Sequence, residues 1–132
     1  LQSPIVISYA VFCLKKNKYK FYLSDLISDN TATGLVVVGD SVDSLDNDAF
    51  ANVHLNLYKD DKCIATGESS EVLGNPLNAI HWLIKKLHTH GKQLKKGDII
   101  SSGTFISPLK LEYGTYRAEY SGIGKVSFSV NK

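Results

Sequence analysis

Apolar positions recur along this chain at two different spacings. Val53, Leu55 and Leu57 alternate with His54, Asn56 and Tyr58, the period-two pattern of a strand with one buried face. Asp60 and Asp61 follow as a turn, and residues 62–68 read as the return strand of a hairpin. From Leu77 onward the period changes. Leu77, Ile80, Leu83, Ile84 and Leu87 fall on one stripe of a helix. Asn75 is a good N-cap residue and Pro76 suits the first helical position. Lys85, Lys86, His88 and His90 cluster where positive charge complements the helix dipole, and Gly91 is a natural residue just past the end.

The remaining segments are shorter. Residues 5–14 are apolar and rich in β-branched and aromatic types, a buried-strand signal. Lys15, Lys16, Asn17 and Lys18 break that run as a solvated turn. Residues 21–29 fit a short strand or a turn of helix equally. Residues 34–39 (GLVVVG) read as a buried strand between two glycines, and 40–48 as an acidic surface loop. Short strands are expected at 98–101, 115–120 and 125–130. Many strands, one main helix and no βαβ alternation predict an α+β fold, mainly antiparallel β, with the helix packed on the sheet. There is no internal repeat, so residues 1–132 are read as a single domain.

Composition narrows the functional classes. With 132 residues the chain can build one modest core. A net charge of +2 and the lack of a basic stripe with interleaved aromatics argue against nucleic acid. No apolar run is long enough to cross a bilayer, and no signal-peptide pattern opens the chain. Cys13 and Cys63 sit in apolar strand-like segments and are expected to be buried thiols, which fits a reducing cytoplasm. Met is absent even from position 1, where Leu1 stands, so the chain reads as part of a longer one.

The residues offer three kinds of chemistry. His54 falls on a strand's polar face, His81 is far from any acidic cluster, and His88 and His90 are two apart on a helix end. None has metal-site spacing, and exposed or capping roles explain them. Ser101, Ser102, Gly103 and Thr104 form a small-residue loop without a GxSxG elbow. Such a loop is more credible as an anion cradle, through its backbone N–H groups, than as a nucleophile site, and a plain tight turn explains it best on the residues alone. Glu68 and Glu71 flank two serines, Asp25 and Asp29 straddle an apolar pair, and Asp43, Asp46 and Asp48 crowd one loop. None of these carboxylate groupings is specific.

Longer patterns point further. Residues 66–83 (TGESSEVLGNPLNAIHWL) resemble a strand ending in "TG", a "VLG-x-PLNA" turn and a helix carrying "WL". Residues 94–104 (LKKGDIISSGT) are similar to an "L-x-x-G-[DE]-x-[IV]-x-[ST]-G-[ST]" segment. Residues 29–34 (DNTATG) resemble "DNASSG", and Tyr116 to Tyr120 with Gly122, Ile123, Gly124 and Val126 match a closing strand pair. Together they resemble the 2-keto-4-pentenoate hydratase and 4-oxalocrotonate decarboxylase family of the fumarylacetoacetate hydrolase superfamily, over about positions 20–130.

That resemblance implies a curled antiparallel sheet or barrel with one main helix, the C-terminal part of a longer hydratase-like chain. It implies a lyase that adds water to 2-hydroxy-dienoic (2-oxo-enoic) acids, as in aromatic catabolism. In the family Mg²⁺ or Mn²⁺ chelates the 2-oxo acid and polarises its carbonyl. Asn30, Thr33, Ser102, Gly103 and Thr104 occupy the segments that border the substrate. The partners implied are a small 2-oxo acid and an oligomer with itself or a family relative. The sequence departs from the family where the metal ligands belong. The first glutamate is Glu68, and Ala10 stands where a third acidic ligand is expected. The Glu-x-Glu pair and a catalytic lysine would precede Leu1. This chain alone is therefore expected to bind Mg²⁺ poorly and to lack hydratase activity. Two classes compete: a lyase completed by residues outside the chain, and a non-catalytic homologue acting as scaffold or partner subunit.

Overall fold

The computed structural model describes residues 11–14, 33–40, 42 and 46–132. Among the described residues, six strands, two α-helices and one 3-10 turn make up the regular structure. Strand β1 (Val11–Leu14) pairs antiparallel with β2 (Thr33–Val37) in a small sheet. After helix α1 (Asn47–Ala51) come β3 (His54–Lys59) and β4 (Lys62–Glu68), then a 3-10 turn (Ser69–Glu71) and helix α2 (Pro76–Thr89). Strands β5 (Gly114–Tyr120) and β6 (Gly124–Val130) close the chain. The larger sheet has the order β4-β3-β5-β6, with all neighbours antiparallel.

The alternation in β3 produces the core. Val53, Leu55 and Leu57 are all buried. Leu55 lies opposite Tyr120 and Leu57 opposite Ala118, which in turn faces Val126. Leu55, Leu57, Ala118 and Val126 form the central cluster, and Val37, Phe105, Ile106, Tyr120 and Ile123 pack against it. Tyr116 and Phe128 extend this face, their rings stacked at 5.2 Å. His54, Asn56, Tyr58, Arg117 and Glu119 project to the other face, as the period of two requires.

The predicted helix is present with the expected signals. The Asn75 side chain accepts a hydrogen bond from the Leu77 N–H at 2.9 Å, and Pro76 opens the first turn. Gly91, at φ 65°, follows the end. Its packing differs from expectation. Among the described residues the main neighbour of α2 is α1 rather than the sheet, Pro76 is its one buried residue, and Trp82 and Ile84 are exposed. An apolar stripe shows that a helix has a face to cover, but not which element covers it.

Other expectations are corrected. Residues 98–101 form no strand; Asp98 instead closes a turn, its carboxylate accepting from the Lys95 N–H at 2.7 Å. The acidic stretch begins a helix, because Asp46 caps α1 by accepting from the Ala49 N–H. Cys63 is exposed, since it lies on the polar side of an edge strand; the side chain of Cys13 is outside the described residues. In β2, Val36 is exposed while Val37 faces the core, so that strand is half-buried. Expectations for residues 5–10, 15–18 and 21–29 lie outside the described residues.

Candidate functional site

Ser69 fixes the first wall of the site. It is fully buried, its hydroxyl accepts from the Val53 N–H at 2.9 Å, and its own N–H donates to the Val53 carbonyl at 2.8 Å. These two bonds staple the 3-10 turn to the start of β3. The turn therefore carries Glu71 and the buried Val72 to a set position. Leu73, at φ 52°, and Gly74, at φ 77°, then redirect the chain into α2.

The loop after α2 supplies the opposite wall, and glycine lets it approach. A Cβ on Gly67 would sit 2.1 Å from the Phe105 carbonyl oxygen and 2.8 Å from an Ile106 methyl. The loop backbone thus lies directly on the inner face of β4. A Cβ on Gly103, at φ 138°, would come within 3.1 Å of Val72. The Phe105 ring meets the Tyr120 ring edge-on at 5.9 Å. Burial pushes the Tyr120 hydroxyl up to about 12, so Tyr120 acts here as a neutral ring supporting the loop.

Between these walls lies an open depression of about 330 Å³, lined by Glu71, Thr104, Phe105, Ile106, Ser107 and Pro108. Ser102, Gly103 and Thr104 are together in the adjoining loop. The Thr104 hydroxyl donates to the Ile106 carbonyl at 2.7 Å and accepts from its N–H. That hydroxyl is occupied in holding the turn. The N–H groups of residues 101–105 make no hydrogen bond among the described residues, which leaves bare donors available to an anion. Thr33 opens β2, where its backbone pairs with Leu14; Asn30 is outside the described residues. Sequence reasoning did not single out the wall residues Phe105, Ile106 and Pro108. The only available signal was their place just after the small-residue loop.

A second polar cluster occupies the outer face of the sheet. His54 Nδ1 lies 2.5 Å from Glu68 Oε1, and its Nε2 is 3.1 Å from Asn56 Oδ1. The hydrogen bond to Glu68 holds the imidazole above its ordinary pKa. Arg117 donates to Asp61 at 2.6 Å and to Glu119 at 2.8 Å, with its guanidinium 4.6 Å from the centre of the Tyr58 ring. Lys59 pairs with Glu112 at 2.6 Å, and that contact holds the Glu112 carboxyl below the usual carboxylate range. Among the described residues no three His, Cys, Asp or Glu side chains group as metal ligands.

The chain has relatives of known name. It is 30% identical over 109 residues to a 2-keto-4-pentenoate hydratase of Paraburkholderia phymatum, covering 82% of this chain and 42% of that protein. It is 32% identical over 104 residues to a 2-oxo-hept-4-ene-1,7-dioate hydratase of Escherichia coli, covering 78% and 39%. The chain thus spans about two-fifths of the length of these curated relatives. The fold is shared with 4-oxalocrotonate decarboxylase from Pseudomonas putida G7. Its complex with magnesium and adipate matches at a TM-score of 0.77 and 22% identity, over 89% of this chain and 45% of that one. Its complex with calcium and acetate matches at 0.69 over 77% and 40%. No protein-family model matches the chain. Sequence relatives and fold neighbours agree, and the chain is similar to the C-terminal part of the 2-keto-4-pentenoate hydratase and 4-oxalocrotonate decarboxylase family.

Proposed function

We propose that this chain is the carboxylate-binding part of a lyase that adds water to 2-oxo-enoic acids. The observation that supports it is the loop at residues 101–105. Its backbone N–H groups are unsatisfied among the described residues, and Gly67 and Val72 hold it against the sheet beside an open depression. Successive bare N–H groups are suited to a carboxylate, because charge-assisted bonds to them are stronger than neutral ones. Gly103 brings the backbone close without a side chain in the way. Ser102 adds a hydroxyl, and the family resemblance implies that Asn30 and Thr33 would border the same acid. Catalysis itself would then proceed by acid–base steps at groups supplied elsewhere in the assembly.

The described residues do not fit a complete site for Mg²⁺ or Mn²⁺. Glu71 is the one carboxylate on the wall of the depression, whereas such ions take about six oxygen donors. Remaining ligands would have to come from outside the described residues. The chain would act as one domain of a larger cytoplasmic oligomer, formed with itself or with a family relative. A second reading is a non-catalytic homologue that keeps the fold as scaffold or partner subunit. It is favoured by Ala10, which takes an expected ligand position in the sequence.

Nuclear magnetic resonance titration with acetate and adipate tests the cradle. Amide shifts concentrated at Ser102, Gly103 and Thr104 are expected; shifts elsewhere only, or none, would sink it. Calorimetry with Mg²⁺ or Mn²⁺, followed by an ultraviolet assay for loss of a conjugated dienoate, separates the two readings. Turnover by a longer parent chain alone supports the lyase. An inert parent with an intact fold supports the scaffold.

A further inference from the structure

We propose that this site selects 2-oxo monocarboxylates with a short apolar tail over dicarboxylates, with Glu71 as the specificity-determining residue. The proposal rests on the cradle reading above and adds what lies at the far end of the substrate. The wall beyond the loop is made of Phe105, Ile106 and Pro108, with Ser107, Thr104 and Glu71. The three apolar side chains favour a hydrocarbon tail. Among the described lining residues there is no lysine or arginine, so a second carboxylate finds no counter-charge there.

Glu71 makes that difference active rather than passive. Four of the described carboxylates are matched to cations, Glu68 to His54, Glu112 to Lys59, and Glu119 and Asp61 to Arg117, while Asp46, Asp60 and Asp98 accept from backbone N–H groups. Glu71 has no such partner among the described residues, and it sits on the wall of the depression. A distal carboxylate entering here would meet an uncompensated like charge, which disfavours it. A neutral tail meets no such opposition. The depression, at about 330 Å³, is also at the small end of ligand pockets. Sequence identity does not decide the matter. The relatives include hydratases named for a monoacid and for a diacid, at 30% and 32%.

The test compares 2-oxopentanoate with 2-oxoheptanedioate as probes, with and without MgCl₂, read by the amide shifts of Ser102, Gly103 and Thr104. The monoacid is expected to bind about 3- to 5-fold more tightly, the range of a partly exposed charge contact. Glu71→Gln should bring the two affinities together, and Glu71→Lys should reverse their order. The position is exposed, so the variants are expected to keep the wild-type amide spectrum elsewhere. Equal or tighter binding of the diacid by the unaltered protein overturns the selectivity and leaves the cradle standing. An unchanged ratio in Glu71→Gln overturns the role of Glu71. If neither acid moves the three loop amides, the cradle reading fails and this proposal fails with it.

Discussion

At the scale of single residues, His54 shows how an exposed side chain becomes tuned. One ring nitrogen faces the Glu68 carboxylate and the other faces the Asn56 amide oxygen. Both neighbours are acceptors, so the doubly protonated ring satisfies both at once. Glu68 is the larger cause of the raised pKa. The sign of the stability effect follows from linkage. A group with a raised folded pKa contributes stability that is fully present below its unfolded value, about 6.5. That contribution is lost as pH rises through the higher folded value. The urea midpoint is therefore expected to fall as pH rises above about 6.5. Glu68→Gln should flatten this fall and lower the His54 titration midpoint. A His54 midpoint that Glu68→Gln leaves unmoved would show that the pair does not set it.

At the scale of elements, the β3–β4 hairpin explains what the sequence could and could not disclose. The two strands and their turn are readable from alternation and from Asp60 and Asp61, which adopt φ 47° and 65° as a two-residue hairpin turn requires. Counting back from that turn without a bulge would place His54 opposite Gly67. The register shifts between Leu57 and Tyr58, leaving Ile64 as the extra residue. His54 then meets Glu68, and Gly67 lies opposite Leu55 on the inner face. A single inserted residue moves every later partner, and nothing in local composition marks it. The family resemblance was legible because small residues were spaced as turns and cradles need. The wall at residues 105–108 was not, because it depends on the loop crossing the sheet. Gly67→Ala tests that crossing. The added methyl meets a backbone oxygen at 2.1 Å, which no rotamer change relieves. A cost of about 1–3 kcal/mol, the usual range for overpacking, is expected in urea or thermal unfolding. Amide shifts should be centred on Phe105 and Ile106. A variant as stable as the parent, with those amides unmoved, would mean that the loop does not rest on Gly67.

At the scale of the whole chain, burial is unevenly shared, and opening should follow that division. Leu55, Leu57, Ala118 and Val126 are buried together. They lie on β3, β5 and β6, and β3 and β5 are each paired on both sides. Opening either of those central strands exposes the core and breaks two ladders at once. Helix α2 has a good cap and a regular apolar stripe, yet only Pro76 among its residues is buried. Most helix stability in proteins comes from packing an apolar face rather than from propensity, and α2 has little of that packing among the described residues. Local stability tracks buried apolar contact. Hydrogen exchange should therefore be slowest at Leu55, Leu57 and Ala118, with protection near the global unfolding free energy. The amides of Ile80, Leu83 and Leu87 should exchange through an earlier, smaller opening. Leu57→Ala should lower the protection of β3 and β5 together by about 2–5 kcal/mol, the usual cost of emptying a buried leucine site. Ile84→Ala, at an exposed helix position, should leave the strands unchanged. Equal protection of α2 and β3, falling together in both variants, would show that helix and sheet open as one unit.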